Sequence, residues 1–373
     1  MKNHITIGMD LGDLENYIVV MDAEGTEIEV TSIANTKERV REYFSKFPGA
    51  VVAIEAGTHS CWISREIKEA GCDVLVGNPR KLRLIWDSTD KDDENDARLL
   101  CMICRLEPRL LWPIRHREPE GQRDLQIVKS RQIMVETRTK LINHVRGAVK
   151  AVGERLPGCS TDAFAKRVVE DIPDELRVAL DGVLKIIETL TEQIRRQDRL
   201  IAHLCREQYP ETEFLSQVNG VGPVTSLAYV LTIGDPERFP KSRYVGSYLG
   251  LTPKRDQSGQ TDKQLRITKA GDTYLRTLLV NCSNYILGPF GPDSHLRRHG
   301  LKIAARGGKN ARRRAKVAVA RKLAVLLHRL WMNKEPYERL YKSINKQNHK
   351  NKAQVPGGMN LSKPEAAVAM AAG

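Results

Sequence analysis

Two short apolar runs in this chain end on a carboxylate. "HITIGM" (4–9) runs into Asp10, and "AVVAI" (50–54) runs into Glu55. Both have strand length and β-branched content. An ionised acid at the end of a buried strand costs several kcal/mol unless something compensates it. A sheet satisfies that pattern when its strand ends open onto a ligand site, which is where α/β sheets present their ligands. The neighbouring segments supply the rest of such a sheet. "NYIVVMDAEG" reads as a second strand and turn, and "EIEVTSI" as a third strand in a meander. "TKERVREYFSKF" reads as a helix, "CWISREIKEAG" as a helix closed by Gly71, and "CDVLVGNP" as another strand. The first hundred or so residues therefore read βββαβαβ and then a helix, an α/β sheet with a hairpin entrance.

Charge separates this region from the remainder. The 373-residue chain carries +14 with pI ≈ 9.5, which points to a polyanionic partner, nucleic acid by default. Residues 1–100 hold 12 Lys+Arg against 19 Asp+Glu, a net of −7, whereas the remainder holds 48 against 27, a net of +21. The acidic charge peaks in "DKDDENDARLL" (90–100). Asp93 and Asp96 stand at i, i+3 before a helical apolar pattern, so both project from one face of its first turn. Asp90 and Asp92 are the alternatives, because sequence does not fix the register. The plain reading is a solvated acid block and two unrelated strand-end acids. The sharper one gathers Asp10, Glu55, Asp93 and Asp96, whose mutual repulsion requires cations. Hard oxygen donors without His or Cys suit Mg²⁺ or Mn²⁺. Two such ions about 4 Å apart can activate an attacking oxygen and stabilise a leaving one on phosphorus.

Seven scattered cysteines fit a reducing compartment. Cys101 and Cys104 form a lone CxxC within an apolar helical pattern, and buried core is the expectation rather than zinc or redox use. The start leads straight into a strand pattern without a signal peptide, and no apolar run approaches ~18 residues. The expected location is cytoplasmic, at the nucleoid.

Beyond Pro113 the pattern changes to long helices. Residues 121–152 are helical and carry Arg131, Arg138, Lys140 and Arg146. Leu176, Leu180, Val183, Ile187, Leu190, Ile194, Ile201 and Leu204 then form a heptad seam, with Gln197 at one of its positions. It suits an intramolecular hairpin with 121–152 or a dimeric coiled coil equally well. Residues 294–331 hold 12 Lys+Arg and no acid. Val319, Leu323, Leu326 and Leu330 mark a buried stripe there, with Arg321, Lys322, His328 and Arg329 off it. Arg312, Arg313, Arg314 and Lys316 precede it, and the whole stretch is expected to grip nucleic-acid backbone without reading sequence. The tail from about Ser343 is polar and expected to be disordered.

Two further stretches carry candidate chemistry. "VNGVGP" places Gly220 and Gly222 before a helix and resembles half of a helix-hairpin-helix element, where glycines and a helix N-terminus approach phosphate. In "YLGLTPKRDQSGQ", Ser258 sits near Lys254, Arg255, Lys263 and Arg266, and reads either as a nucleophile toward phosphate or as a turn residue. Arg276 follows in "ITKAGDTYLRTLLV".

Taken in order, "IGMDLG", "AIEAG", "KDDENDARLL", "GVGPVTSLAYVLTIGD", "YLGLTPKRDQSG" and "ITKAGDTYLRTLLV" resemble the DEDD-type transposases of bacterial insertion sequences, a family that includes the Piv and MooV DNA invertases. The likeness covers about residues 4–335. It implies an α/β RNase H-like (RuvC-like) N-terminal domain over 1–112, a helical coiled-coil or dimerisation hairpin over 113–210, a mostly α-helical transposase domain over 211–342, and a tail over 343–373. It places the metal-binding tetrad on Asp10, Glu55, Asp93 and Asp96. It places a serine that becomes covalently joined to DNA on Ser258, with Ser247 as the substitute. It also implies a homodimer or homotetramer in which the acids of one subunit meet the serine of another, and a structured guide RNA from the element that pairs with donor and target DNA. The competing readings are a RuvC-like nuclease or Holliday-junction resolvase without serine chemistry, a non-catalytic nucleic-acid-binding protein, and an actin-like ATPase suggested by "IGMDLG". In the last, Asp13 follows Gly12 and would repel phosphate.

Overall fold

The computed structural model describes residues 5–82, 92–258 and 261–340. Asp90 and the tail from Ser343 lie outside the described residues. The chain forms two compact units, one ending at Arg123 and the other beginning at Asp124.

The first unit is a mixed five-stranded sheet. β1 (Thr6–Leu11), β2 (Glu15–Met21) and β3 (Glu27–Ala34) form an antiparallel meander. β4 (Val51–Glu55) and β5 (Asp73–Gly77) add in parallel on the other side of β1, giving the order β3-β2-β1-β4-β5. Side-chain alternation splits the strands between two faces. Ile7, Met9, Ile18, Val20, Val52 and Ile54 turn to one face and bury against α1 (Lys37–Phe44) and α2 (Ser60–Glu69) through Val40, Phe44, Ile63 and Ile67. The opposite face is covered by α3 (Asp93–Leu106), whose Ala97 and Cys101 pack on Val19 and Met21, and whose Leu100, Ile103 and Cys104 pack with Ala53.

Gly8 sets how closely α3 lies on the sheet. A Cβ at that position would stand 2.0 Å from the Ala97 carbonyl oxygen and 2.5 Å from the Cys101 nitrogen. The helix backbone thus rests directly on β1, and the Cys101 thiol donates to the Thr6 carbonyl at 3.2 Å. Burial raises the thiol pKa of Cys101 to about 12 and that of Cys104 to about 11. These are core thiols, as the apolar pattern around the CxxC predicts.

The second unit is mostly helical. α4 (Pro119–Ala151), α5 (Phe164–Val168) and α6 (Asp174–Glu207) share a core of Ile142, Val145, Val149, Phe164, Val168, Leu180, Leu184 and Ile187. The buried stripe of α6 runs through Leu180, Leu184, Ile187, Thr191, Ile194, Ile201 and Leu204. It departs from the expected seam at Leu184 and Thr191, since Val183 and Leu190 sit half-buried beside it. Thr191 and Asp198 on α6 receive hydrogen bonds from Arg138 and Arg131 of α4.

A larger core gathers α7 (Thr212–Ser216), α8 (Pro223–Ile233), α9 (Arg243–Tyr248), α10 (Thr273–Leu287), α11 (His295–Ala304) and α12 (Ala311–Asn333). α8 is buried from Thr225 to Ile233, and its Tyr229 hydroxyl donates to the Ala324 carbonyl at 2.7 Å. A helix apolar on all sides must be the centre of its unit. Residues around Ser258, expected as a loop, form an antiparallel hairpin of β6 (Pro253–Ser258) and β7 (Thr261–Ile267). "PKRDQS" has no apolar alternation to announce a strand, because β6 is exposed from Lys254 onward.

Gly8→Ala should lower stability by about 1–3 kcal/mol through overpacking. Gly147→Ala should instead stabilise by up to roughly 1 kcal/mol, because Gly147 is helical and its Cβ would meet open space. Urea unfolding of both variants beside the parent checks the pair.

Candidate active site and nucleic-acid interface

β1 and β4 run parallel, with Met9 opposite Ile54 as the last register pair, so Asp10 and Glu55 are the next residues on adjacent strands. Asp10 shares the side of β1 that bears Gly8, and Glu55 the side of β4 that bears Ala53. Both therefore emerge on the face that α3 covers, and both are half-buried. The contacts of Cys101 with Thr6 and of Ala97 with Gly8 show the direction of α3. Its C-terminal half lies over the start of β1 and its first turn over the strand ends that carry the acids. Asp93 belongs to the stripe of Ala97 and Cys101, which faces β1 and β2. Asp96 belongs to the stripe of Leu100 and Cys104, which packs with Ala53 of β4.

The acids at the N-terminus of α3 differ in what holds them. Asp92 is the N-cap, and its carboxylate accepts the Asn95 backbone N–H at 2.7 Å. Glu94 pairs with Arg98, which also holds Glu27 at 2.6 Å. Asp92 and Glu94 are thus committed to the helix start and to the β3 side, whereas Asp93 is exposed and Asp96 half-buried. Three acids in the first turn are favoured by the helix macrodipole. As the side chains stand, no three His, Cys, Asp or Glu residues among the described ones gather at metal-ligand spacing. The donor set is nonetheless carboxylate oxygen, the chemistry that suits Mg²⁺ or Mn²⁺.

Sequence reasoning passed over a group at the same end of the sheet. His59 Nε2 lies 3.3 Å from Asp13 Oδ1, and the Trp62 indole donates to His59 Nδ1 at 3.3 Å. His59 and Asp13 sit on the segments that follow β4 and β1. "GTHS" and "LGD" look like ordinary turns, so only the strand pairing reveals their proximity.

In the second unit, Ser258 is exposed at the end of β6, opposite Thr261 in the hairpin register. Ser247, the substitute, is exposed on α9. Lys254, Arg255 and Arg266 project from the hairpin into solvent, and Arg312, Arg313, Arg314, Lys316, Arg321 and Lys322 from α12.

Other expected contacts are spent inside the protein. Arg138 is 6% exposed and binds Asp162 at 2.7 Å and Thr191 at 3.2 Å. Arg276 is 8% exposed and donates to the Leu249 and Ala270 carbonyls at 3.0 and 2.8 Å. The Arg146 guanidinium lies 5.0 Å over the Phe164 ring and donates to the Pro157 carbonyl. Arg138 and Arg276 hold helices and loops together instead of facing a polyanion, whereas Arg146 is half-buried and keeps part of its surface open. Gly220 has φ +90, and a Cβ there would stand 2.7 Å from the Tyr285 ring, so its glycine is required by packing. Gly222 is the N-cap of α8, but Pro223 at the first helical position removes one of the N–H donors a phosphate would use. His328, expected off the buried stripe, is 1% exposed between the Ser242 hydroxyl and the Pro236 carbonyl. Leu326, expected within that stripe, is half-buried and lines an open groove instead.

That groove, about 1590 Å³, lies within the second unit between the hairpin base, α11 and α12. Arg266, Lys269, Arg313, Arg314, Arg321 and Lys322 line it, and Glu338 is the one carboxylate among its lining residues. Such a positive cleft concentrates polyanions.

A meander-plus-parallel sheet with acids at its central strand ends, joined in one chain to a basic helical unit, defines a nucleic-acid-processing enzyme. Residues 7–153 match a DEDD-type insertion-sequence transposase model described as "Transposase", and residues 212–295 match the "Transposase IS116/IS110/IS902 family". The chain is 29% identical over 283 residues to a probable family 20 transposase of Pseudomonas aeruginosa, covering 74% of this chain and 82% of that one. It is 27% identical to the transposase for insertion sequence element IS1111A of Coxiella burnetii, covering 90% and 92%. It is 25% identical to a pilin gene-inverting protein of Moraxella bovis, covering 67% and 68%. The chain belongs to the IS110/IS116 family of insertion-sequence transposases, enzymes that catalyse DNA cleavage and strand transfer. No helix among the described residues is long and apolar enough to cross a membrane.

Arg138→Ala should cost roughly 1–3 kcal/mol of stability while leaving DNA affinity unchanged. Arg321→Ala should do the reverse, lowering affinity and reducing the salt dependence by about one phosphate contact. Chemical denaturation and fluorescence anisotropy separate the two effects.

Proposed function

We propose that this transposase joins DNA through Ser258 and an acidic tetrad of Asp10, Glu55, Asp93 and Asp96, in an RNase H-like, RuvC-type first domain with which the five-stranded sheet is compatible. The observation that carries this reading is the convergence of Asp10 and Glu55, neighbours on parallel strands, beneath the first turn of α3. Mg²⁺ or Mn²⁺ held by the four carboxylates would withdraw charge from the scissile phosphate and stabilise oxygen on phosphorus. Ser258 Oγ would form the bond to phosphorus as the bond from phosphorus to one nucleotide oxygen breaks. The Oγ proton is released and the departing oxygen takes one up. Rejoining runs the same exchange backwards, with a hydroxyl of the second strand displacing Ser258.

Exposed Lys254, Arg255, Arg266, Arg312, Arg313, Arg314, Lys316, Arg321 and Lys322 would hold the backbones of donor and target DNA. A structured guide RNA would supply the sequence choice that phosphate contacts lack. Assembly as a homodimer or homotetramer would let the acids of one subunit serve the serine of another. A metal nuclease using water at the same acids is the second reading, favoured by the exposed position of Ser258 in a turn-like hairpin end.

The test is PCR for the excised circular junction from the gene with its native flanks. Wild type should give a junction, and Asp10→Ala and Ser258→Ala should each abolish it. Loss in the Asp10 variant with a normal junction in the Ser258 variant would establish the nuclease reading. An undiminished junction in both would overturn the acidic site as well.

A further inference from the structure

The groove of the second unit has a patterned wall. The residues α12 contributes to it come in successive rungs along one strip of the helix: Arg313 and Arg314, Val317 and Ala318, Arg321 and Lys322, Val325 and Leu326, then Arg329. Cationic rungs recur every eight residues, about 12 Å along the helix, with an apolar rung midway between them. The cations are exposed and the apolar rungs half-buried, so the strip presents charge at its rim and aliphatic surface at its floor. Leu251, Ile267 and Ile303 extend that floor from the other walls. Arg329 is held by Glu335 at 3.0 Å. The field is strong enough to act on a neighbour. His299, on the α11 wall, is kept below the ordinary imidazole range first by burial and then by Lys322, Arg306 and Lys302.

A DNA duplex offers this surface only phosphates and sugars, which gain little from Val317 or Leu326. An unpaired strand offers both phosphates for the cationic rungs and base faces for the aliphatic ones. We propose that the groove between α11, α12 and the β6–β7 hairpin binds an unpaired DNA strand, with its phosphates on the cationic rungs and its bases on the aliphatic floor. The proposal rests on reading the basic face of this unit as a DNA contact. It adds that the DNA held there is melted, and that the strand passes the base of the hairpin whose β6 ends at Ser258. The groove would then present one strand, not a duplex, to the serine.

The experiment is fluorescence anisotropy with the full-length chain, using a labelled single-stranded oligodeoxynucleotide and a duplex of the same length and composition. Val317→Ser and Leu326→Ser, each checked for native circular dichroism, should weaken single-strand binding roughly fivefold or more and leave duplex binding within about twofold. The more conservative Val317→Thr and Leu326→Met bring the same comparison to a milder perturbation if a serine variant misfolds. Arg321→Ser should weaken both ligands. Floor variants that weaken both ligands equally, or neither, would overturn the proposal. So would a floor variant that lowers the sedimentation mass of the free protein, because the groove would then be an interface between copies. The assay involves no chemistry, so a single-strand effect with Ser258→Ala still competent in the junction assay would remove the serine mechanism and leave the groove assignment standing.

Discussion

The first unit depends on the contact of a helix backbone with a strand backbone at Gly8. Every side chain larger than hydrogen would push α3 away from β1, since its first carbon would already overlap the Ala97 carbonyl and the Cys101 nitrogen. Once the two backbones touch, the remaining anchors follow. The Cys101 thiol reaches the Thr6 carbonyl, and Arg105 reaches the carbonyls of Asp22 and Ala23 in the turn between β2 and β3. A helix pinned in this way cannot slide, so its first turn stays over the strand ends bearing Asp10 and Glu55. The position of four acids on three elements traces back to one missing side chain.

The charge separation of the chain follows from opposite tasks. In the first unit, acid at the α3 start is tolerated because Asp92 caps the helix, the macrodipole favours negative charge, and Arg98 ties Glu94 to Glu27. In the second unit, arginines divide into those consumed by the fold and those offered to solvent. Arg138 and Arg276 are buried donors whose loss would strand carbonyls and hydroxyls. Those of the α12 strip face outward, and a chain with fewer acids nearby leaves their field unscreened.

Much of the first unit was legible because its signals are local. Apolar runs of strand length, closing glycines and the N-cap position of the acid block lead directly to β1–β5 and α1–α3. Parity then places Asp10 and Glu55 on one face once the strands are paired. Less was legible where the signal is a competition between neighbours. Val183 and Leu184 are equally apolar, and the packing of α5 and α4 decides which enters the core. The exposed β6–β7 hairpin has no apolar period, so Ser258 reads as a loop residue. Composition counts Arg138 and Arg321 alike, and burial separates them. The His59–Asp13 contact joins turns 46 residues apart that only the β1–β4 pairing brings together.

Thr191 in the buried stripe of α6 and the half-buried Asp198 beside it have a consequence for assembly. Asp198 and Thr191 are satisfied because arginines of α4 face them. Two copies of α6 laid against each other in register would instead meet carboxylate to carboxylate, with the guanidinium partners left behind on α4. The two layers that match α4 to α6 within a chain therefore penalise α6 pairing with itself. A zipper of α6 with a second copy along this strip would therefore have to give up the two arginine contacts that tie it to α4.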